Sequence, residues 1–398
     1  MMKKTLSVVT LLVAGVSQAA GFAFDTHSGR STGMSFATSA VTNDSTAIAF
    51  NVADILAVKK LDIAVGDVTT LPTIAFTPEG GSKQTMDSIV VPPPHAFGVY
   101  RLNDQMAAGI GVYVPFAAGT QWKSDFPYRT SAYQSRIAAY YINPSFVYEP
   151  THGLRFGVGL DVVRGTVSIT RKINFVDTEG AVELGGGSWG VGYNAGLDLV
   201  ILDKVLNFGA AFRSPVQMGF EGNSDFQDIP AGFQTTLVDQ TVKSNVTLPG
   251  FVNLGLGFTP IDGLTIAADA HLTLWSTFQD FGIQFEDPSL NTTLAKNWKD
   301  SWSFHLGGEY AVTPAIAVRL GAEYDATPSP LDTMTPDLPD WNRYSASVGL
   351  GFNFEPIRAD LGYQFVLLHK TTSTVPGFEG TYDGTANVVG LTLGYSMK

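Results

Sequence analysis

Two histidines stand beside hydroxyl and carboxylate residues at a spacing that could do chemistry. His271 shares one side of an alternating segment with Asp269 and Thr273, and His305 shares one with Ser303 and Glu309. Histidine, serine and a carboxylate together could attack an ester, as in a lipid hydrolase, though such a triad is defined by geometry. The sequence has no Gly-x-Ser-x-Gly elbow to present the serine. It has no His-Glu-x-x-His run for a metal either. Gly185-Gly186-Gly187 is followed by no Lys-Ser/Thr pair, so it reads as a loop or strand entry and not a phosphate cradle. Cys 0 removes cysteine nucleophiles, disulfides and thiolate metal sites together. The bland reading of both histidines, as polar residues lining a wet lumen, is the stronger one, and no enzyme, cofactor or metal is expected.

The elements that position these residues explain why. Trp189, Val191, Tyr193, Ala195, Leu197, Leu199 and Ile201 alternate with Gly190, Gly192, Asn194, Gly196 and Asp198. Ile316, Val318, Leu320, Ala322 and Tyr324 alternate with Ala317, Arg319, Gly321, Glu323 and Asp325. Successive strand side chains point to opposite faces, so each segment has one apolar face and one face of glycine and charge. Repeated along a whole chain, the pattern points to a closed barrel with lipid outside and water inside.

Composition agrees. Charged residues are 15% of the chain, well under the ~25% of ordinary globular proteins. A net charge of -12 argues against a nucleic-acid partner, which needs clustered Lys and Arg. Lys3 and Lys4, the apolar run Leu6 to Val16 and the small residues of Ser17-Gln18-Ala19 read as an export signal over residues 1–19, cut after Ala19. A membrane anchor is the weaker alternative, because the run is short for a span of ~20 residues.

Residues 20–60 do not alternate. Ser, Thr, Asn and small residues dominate, yet Phe22, Phe24, Met34, Phe36, Ile48 and Phe50 would be exposed in a loose tail, so a plug inside the barrel is the better reading. Residues 61–398 read as the barrel, with strands over Leu61–Thr69, His95–Leu102, Met106–Phe116, Ser135–Tyr148, Leu154–Ile169, Trp189–Leu202 and Leu206–Phe220. The second half continues with Thr241–Phe258, Leu264–Phe278, Trp298–Val312, Ala315–Asp325, Tyr344–Phe354, Ile357–His369 and Asn387–Tyr395. That is about fourteen antiparallel strands, an even number as bacterial barrels have. Short turns such as Asp203-Lys204 and Ile261-Asp262-Gly263 alternate with long polar connections such as 223–240, 279–296 and 327–340. Trp122, Phe126, Tyr128, Tyr133, Trp275, Trp298, Trp302, Trp341 and Tyr344 fall near strand ends, where aromatic belts are expected.

At this level of detail the chain resembles the FadL/TodX family of outer-membrane transporters for long-chain fatty acids and aromatic hydrocarbons. The matching pieces occur in order along the mature chain: Ser28-Gly29-Arg30-Ser31-Thr32-Gly33-Met34, Asn43-Asp44-Ser45-Thr46-Ala47, Val114-Pro115-Phe116, Trp189 to Gly196, and Phe212-Arg213-Ser214-Pro215-Val216. Leu248-Pro249, Trp275-Ser276-x-Phe278, Trp298-Lys299-Asp300, Tyr324-Asp325-x-Thr327-Pro328 and Leu338-Pro339-Asp340-x-x-Arg343 follow.

The resemblance implies an all-β fold: a fourteen-stranded transmembrane barrel closed by an N-terminal hatch, in the bacterial outer membrane. It implies passive uptake of hydrophobic molecules, with hatch movement and sideways release through a gap at a kinked third strand. Long-chain fatty acids are the first expected ligand and aromatic hydrocarbons the alternative; a lipid hydrolase or an open porin would be alternatives of another class. Outer-membrane lipid is the surrounding partner and a monomer the expected assembly.

Residue by residue, the resemblance puts Arg171 at a head-group position and Lys296 near a second, the plain alternative for either being a solvated loop cation. Pro115 and Phe116 mark the kink, where proline lacks a ladder donor, though Pro115 could also simply end the strand. Asp325 matches a hatch-facing acid, yet its parity with Arg319 and Glu323 equally fits a lumen ion pair. The family's Asn-Pro-Ala hatch signature appears as Asn51-Val52-Ala53, which leaves the hatch turn and its gating open. The final strand ends Tyr395-Ser396-Met397-Lys398 and not on an aromatic residue.

Overall fold

The structure, a computed structural model, describes residues 21–24, 27–90 and 92–397; the export signal and its cut site lie outside them. Alternation builds one closed antiparallel wall of fourteen strands. These are β1 (Leu61–Pro78), β2 (Pro94–Arg101), β3 (Met106–Gln121), β4 (Gln134–Thr151), β5 (Leu154–Asn174) and β6 (Glu179–Leu202). Two strands are interrupted, β7 (Leu206–Arg213 and Val216–Gln227) and β8 (Gln240–Leu248 and Phe251–Ile261). The wall continues through β9 (Leu264–Thr273), β10 (Ser301–Thr313), β11 (Ile316–Asp325), β12 (Arg343–Phe354), β13 (Ile357–Ser373) and β14 (Gly380–Met397). Closure comes from β1 against β14, in unbroken register from Leu61↔Met397 to Pro78↔Gly380. No backbone edge is left along that seam, which is what lets a sheet stand in hydrocarbon.

The faces follow the sequence pattern. Trp189, Val191 and Tyr193 point outward and are exposed, while Gly190, Gly192, Asn194 and Asp198 are buried on the lumen side. Likewise Ile316, Val318 and Leu320 face out, and Arg319, Glu323 and Asp325 face in.

Two expectations need correction. Several strands are longer than the alternation indicates: β1 reaches Pro78, β6 begins at Glu179 and β14 at Gly380. Beyond the lipid band both faces can be polar, so the period-two signal fades there although the ladder continues. Conversely, the segment read as a strand to Phe278 ends at Thr273 and passes into a 3-10 turn over Trp275–Thr277. The aromatic belt is also smaller than expected. Trp302 and Tyr344 do face outward, but Trp122, Phe126, Trp275, Trp298 and Trp341 are fully buried inside. The long connections that carry them fold into the mouth of the barrel instead of standing above it.

The hatch fills the lumen with short pieces, α1 (Gly29–Gly33), α2 (Ala47–Phe50) and a 3-10 turn over Val52–Ala57. Such short helices hold their place through tertiary contacts. Arg30 of α1 makes a two-pronged pair with Glu309 on β10, at 3.0 and 3.1 Å. Arg319 on β11 shares Glu309 at 2.6 Å and reaches Asp360 on β13 at 2.7 Å. Asp269 on β9 accepts the N–H groups of Thr38 and Ser39 at 2.9 and 2.8 Å. Paired, hydrogen-bonded charge is how a polar plug is held in a buried lumen.

Candidate functional site

The ladder fails at one place between β2 and β3. The two pair from Ala96↔Val112 down to Arg101↔Ala107 and no further. Above Val112, β3 bulges against β4 between Tyr113 and Phe116. Prolines account for the break on both sides: Pro92, Pro93 and Pro94 precede or open β2, and Pro115 stands in the β3 bulge, none with an N–H to donate. Tyr113 to Thr120 are buried, so beyond the bulge the strand turns inward, away from β2, while staying paired with β4 from Phe116↔Ala139 to Gln121↔Gln134.

The vacated edge is occupied by the hatch. Phe24 N–H donates to Pro115 O at 2.7 Å, and Ala117 N–H donates to Phe22 O at 3.0 Å. Ala23 and Phe116 are paired as an antiparallel bridge. Residues 22–24 thus act as a substitute strand where β2 is missing. The Phe22 ring sits edge-on to Trp275, Phe278 and Phe116, with centroids at 4.7, 5.3 and 6.0 Å. The proline run and this phenylalanine arm were missed as site residues in the sequence. The triple proline was the available signal.

Beside Phe22 lies a narrow cavity of about 60 Å³, with an apolar wall from Ile137, Val167, Ile169, Val246 and Phe278 and a polar end at Lys296, Asp337 and Arg136. An apolar slot with a few convergent polar groups is the usual form of a small-molecule site. Lys296 is not a free cation. It is 2% exposed, and its Nζ donates to Asp337 at 3.0 and 3.3 Å and to Thr335 Oγ1 at 3.0 Å. Burial pushes the Asp337 carboxyl up. The Lys296 charge, hydrogen bonds from Thr335 and Lys296 and the charge of Arg171 outweigh this and hold it below the ordinary carboxylate value. Arg171, half-buried on β5, has a buried Nε without a hydrogen-bond partner among the described residues. The structure therefore brings both expected cations to one acid that sequence reading did not pick out.

The connection carrying Asp337 also grips the kinked strand and the plug. Thr120 Oγ1 donates to Asp337 O at 3.1 Å and Trp122 Nε1 to Pro336 O at 2.9 Å. Asp340 accepts the N–H of Gly21 and pairs with Arg343 at 2.5 Å. Asp325, at the end of β11, lies 3.9 Å from Arg343 in the same network.

Asn51, Val52 and Ala53 form the hatch turn without the family proline. Asn51 caps the 3-10 turn by accepting Ala53 N–H at 3.1 Å, and its Nδ2 donates to Ser39 O and to Leu197 O of β6, both at 3.0 Å. The wall makes room with glycine: a Cβ on Gly157 would lie 2.6 Å from Ala53 N. The histidines serve the hatch as well. Ser303 Oγ is 2.8 Å from His305 Nε2, but His305 Nδ1 meets the backbone oxygen of Ser35 at 2.9 Å and not a carboxylate. His271 lies against His305 with ring centroids 4.2 Å apart and the rings tilted by 36°. Its Nε2 is 3.4 Å from Asp269 Oδ2, the same oxygen that accepts the hatch N–H groups at 2.9 and 2.8 Å.

Comparison with known proteins fits this geometry. The model of the outer membrane protein transport protein family (OMPP1/FadL/TodX) matches residues 10–397. The chain belongs to this family.

Among FadL/TodX relatives, the 47 kDa outer membrane protein of Pasteurella multocida is 27% identical over 98% of this chain and 97% of its own length. The long-chain fatty acid transport protein of Salmonella typhi is 22% identical over 99% of this chain and 98% of its own. In fold, the crystal structure of a Pseudomonas aeruginosa FadL homologue superimposes with a TM-score of 0.87 at 19% identity, covering 95% of this chain and 100% of that one. The P. putida toluene transporter TodX gives 0.74 at 17% identity, over 92% and 97%. The FadL/TodX family consists of outer-membrane transport channels for hydrophobic compounds, and this chain is an outer-membrane barrel of that kind.

Proposed function

We propose that this channel takes up long-chain fatty acids by capture beside Lys296, displacement of the Phe22–Phe24 arm and sideways release at Pro115. One observation carries the reading: the arm that fills the broken ladder edge also forms a wall of the cavity. A backbone gap in a membrane wall costs several kcal/mol unless something fills it. An alkyl chain entering the slot has to move Phe22, and moving Phe22 bares the Pro115 edge. The carboxylate head would take up Lys296 and Arg171 in competition with Asp337. The connection that carries Asp337 holds Thr120, Trp122 and Gly21, so loosening it loosens both the kinked strand and the arm.

A second reading, uptake of neutral aromatic hydrocarbons, is favoured by the fact that Lys296 is already neutralised and the slot is lined by aromatic rings. Labelled oleate, methyl oleate and toluene supplied to a deletion strain with and without the gene separate the two. Fatty-acid transport predicts a gene-dependent rate for oleate well above that for the ester; equal rates with toluene fastest would establish the hydrocarbon reading, and no gene dependence would defeat both.

A further inference from the structure

The wall has a second break, between β6 and β7. Their lower ladder runs up to Asn194↔Arg213 and stops. It resumes at Gly187↔Glu221, one residue out of step. Between these points Ser188–Tyr193 face Ser214–Phe220 with no ladder pair. Pro215 and the extra residue of β7 are the local cause, since proline removes a donor and a bulge bends the strand away. Below the break, β7 buries its odd-numbered residues Gly209, Ala211 and Arg213; above it, the even-numbered Val216, Met218 and Phe220 turn inward. β8 makes the same switch at Pro249-Gly250, so Val246 and Leu248 join that inward row.

Side chains close the slit where backbone does not. Glycines of β6 leave the space: a Cβ on Gly190 would lie 2.6 Å from Met218 Sδ, and one on Gly192 would lie 2.7 Å from Val216 Cγ2. The lower end is sealed by Ser214, whose Oγ accepts Tyr193 N–H and whose N–H donates to Tyr193 O, both at 2.9 Å. On the outer face Trp189, Val191 and Tyr193 are exposed, as outward residues of this wall are in general. At ~3.3 Å per residue and a tilt of ~40°, Tyr193 stands about 25 Å above the Asp203–Lys204 turn, at the upper edge of an apolar band ~25 Å tall. Arg164 over the Trp189 ring at 5.5 Å fits that interfacial level.

Behind the slit lies the same apolar cluster that backs the Pro115 gap. Val216, Met218, Phe220, Val246 and Leu248 belong to it together with Phe22 and Phe116. Methionine is a flexible filler, suited to a plug that has to move aside.

We propose that this slit is a second lateral port, through which an alkyl-chain lipophile passes between the lumen cavity and the head-group level of the outer leaflet when Val216 and Met218 swing out. It rests on the reading that the cavity carries lipophiles. It does not need the Pro115 gap to be the exit.

The chain's lack of cysteine makes engineered disulfides clean tests. In Gly192→Cys/Val216→Cys the two Cβ atoms fall within about 4.2 Å, inside disulfide range, so oxidation pins the slit shut. Ala23→Cys/Phe116→Cys pins the arm on the first gap. Oxidised Gly192→Cys/Val216→Cys in whole cells should take up labelled oleate at least fivefold more slowly, with recovery on reduction. An unchanged rate with the slit pinned, alongside a loss with the arm pinned, overturns the port and leaves release at Pro115 standing. The reverse pattern supports the port and removes release at Pro115, and no loss in either overturns both. Should the pair fail to assemble, as judged by heat-modifiable gel mobility, Met218→Cys alone decides. The port requires it to react with a pyrene maleimide partitioned into the head-group region of the membrane within the uptake time, and no reaction overturns it.

Discussion

The Arg213 guanidinium lies 5.4 Å from the ring of Tyr113, and these two residues mark the edges of the two wall breaks. Tyr113 is the last β3 residue before the bulge, and Arg213 the last β7 residue before the Ser214-Pro215 interruption. Tyr141 and Phe251 complete an aromatic cage at 5.6 and 5.5 Å. Asp161 pairs with the guanidinium and accepts Asn194 Nδ2 at 3.1 Å. One buried cation thus touches both openings.

Arg213→Met should cost about 3–5 kcal/mol, because it leaves the Asp161 charge buried and unpaired. Arg213→Met/Asp161→Asn should recover more than half of that. Urea unfolding in detergent micelles reads both values, and a double variant as unstable as the single one would show that Asp161 is not the source of the loss.

Asp337→Asn should raise the apparent affinity for oleate several-fold and leave methyl oleate uptake unchanged, since only a carboxylate competes for Lys296. The pH dependence of the connection has a definite sign. A carboxyl held below its ordinary value contributes stability above its unfolded pKa of ~3.9, and loses it as pH falls through the lower folded value. Burial holds Asp340, in the same connection, above the ordinary carboxylate value, so protonating it as pH falls favours the folded connection. Limited proteolysis of residues 327–342 should therefore not rise between pH 7 and about 4, and should increase only in stronger acid, where Asp337 is protonated.

Val52→Pro should be tolerated and should stabilise the hatch by about 0.4–1 kcal/mol. Val52 is the first residue of its 3-10 turn, where a missing N–H and a fixed φ are an advantage. Hydrogen exchange of residues 47–57 would report slower opening; a loss of uptake would mean that the valine itself tunes gating.

Gly196→Val should unseat the hatch and spare the barrel. A side chain there runs into Asn51 Oδ1 and within 3.1 Å of Val52, while the outward face of β6 is untouched. Heat-modifiable mobility should persist while steady conductance appears in a planar bilayer; a silent bilayer would place the seal elsewhere than the Asn51 turn.

The barrel was legible because its pattern is local. Alternation along Trp189–Ile201 or Ile316–Asp325 needs no knowledge of neighbours, and it sent Arg319, Glu323 and Asp325 inward as found. Trp122, Trp275, Trp298 and Trp341 were not legible, because at strand ends the pattern stops and an aromatic ring suits a belt or a lumen equally well. The counter-ion of Lys296 was hidden for a different reason. Asp337 is 41 residues away in another connection, and no spacing rule joins two loops that meet only over a barrel mouth. Pro115 was visible alone, but its meaning depends on Pro92 to Pro94 across the gap and on an arm from the far N-terminus.

The β1–β14 seam constrains how such a molecule can be made. It joins the first barrel strand to the last, so the cylinder stays open at that edge until Met397 has been delivered opposite Leu61. Lys60 leads straight from the hatch into β1, and α1 already bridges the closing side: Gly29 N–H donates to Thr392 on β14 at 2.9 Å, and Ser347 on β12 donates to Gly33 O at 3.1 Å. A plug too polar for lipid and too tightly seated to thread in later has to be enclosed as the sheet curls. The segment that later blocks the pore would then serve as the mandrel around which the last strands are wound.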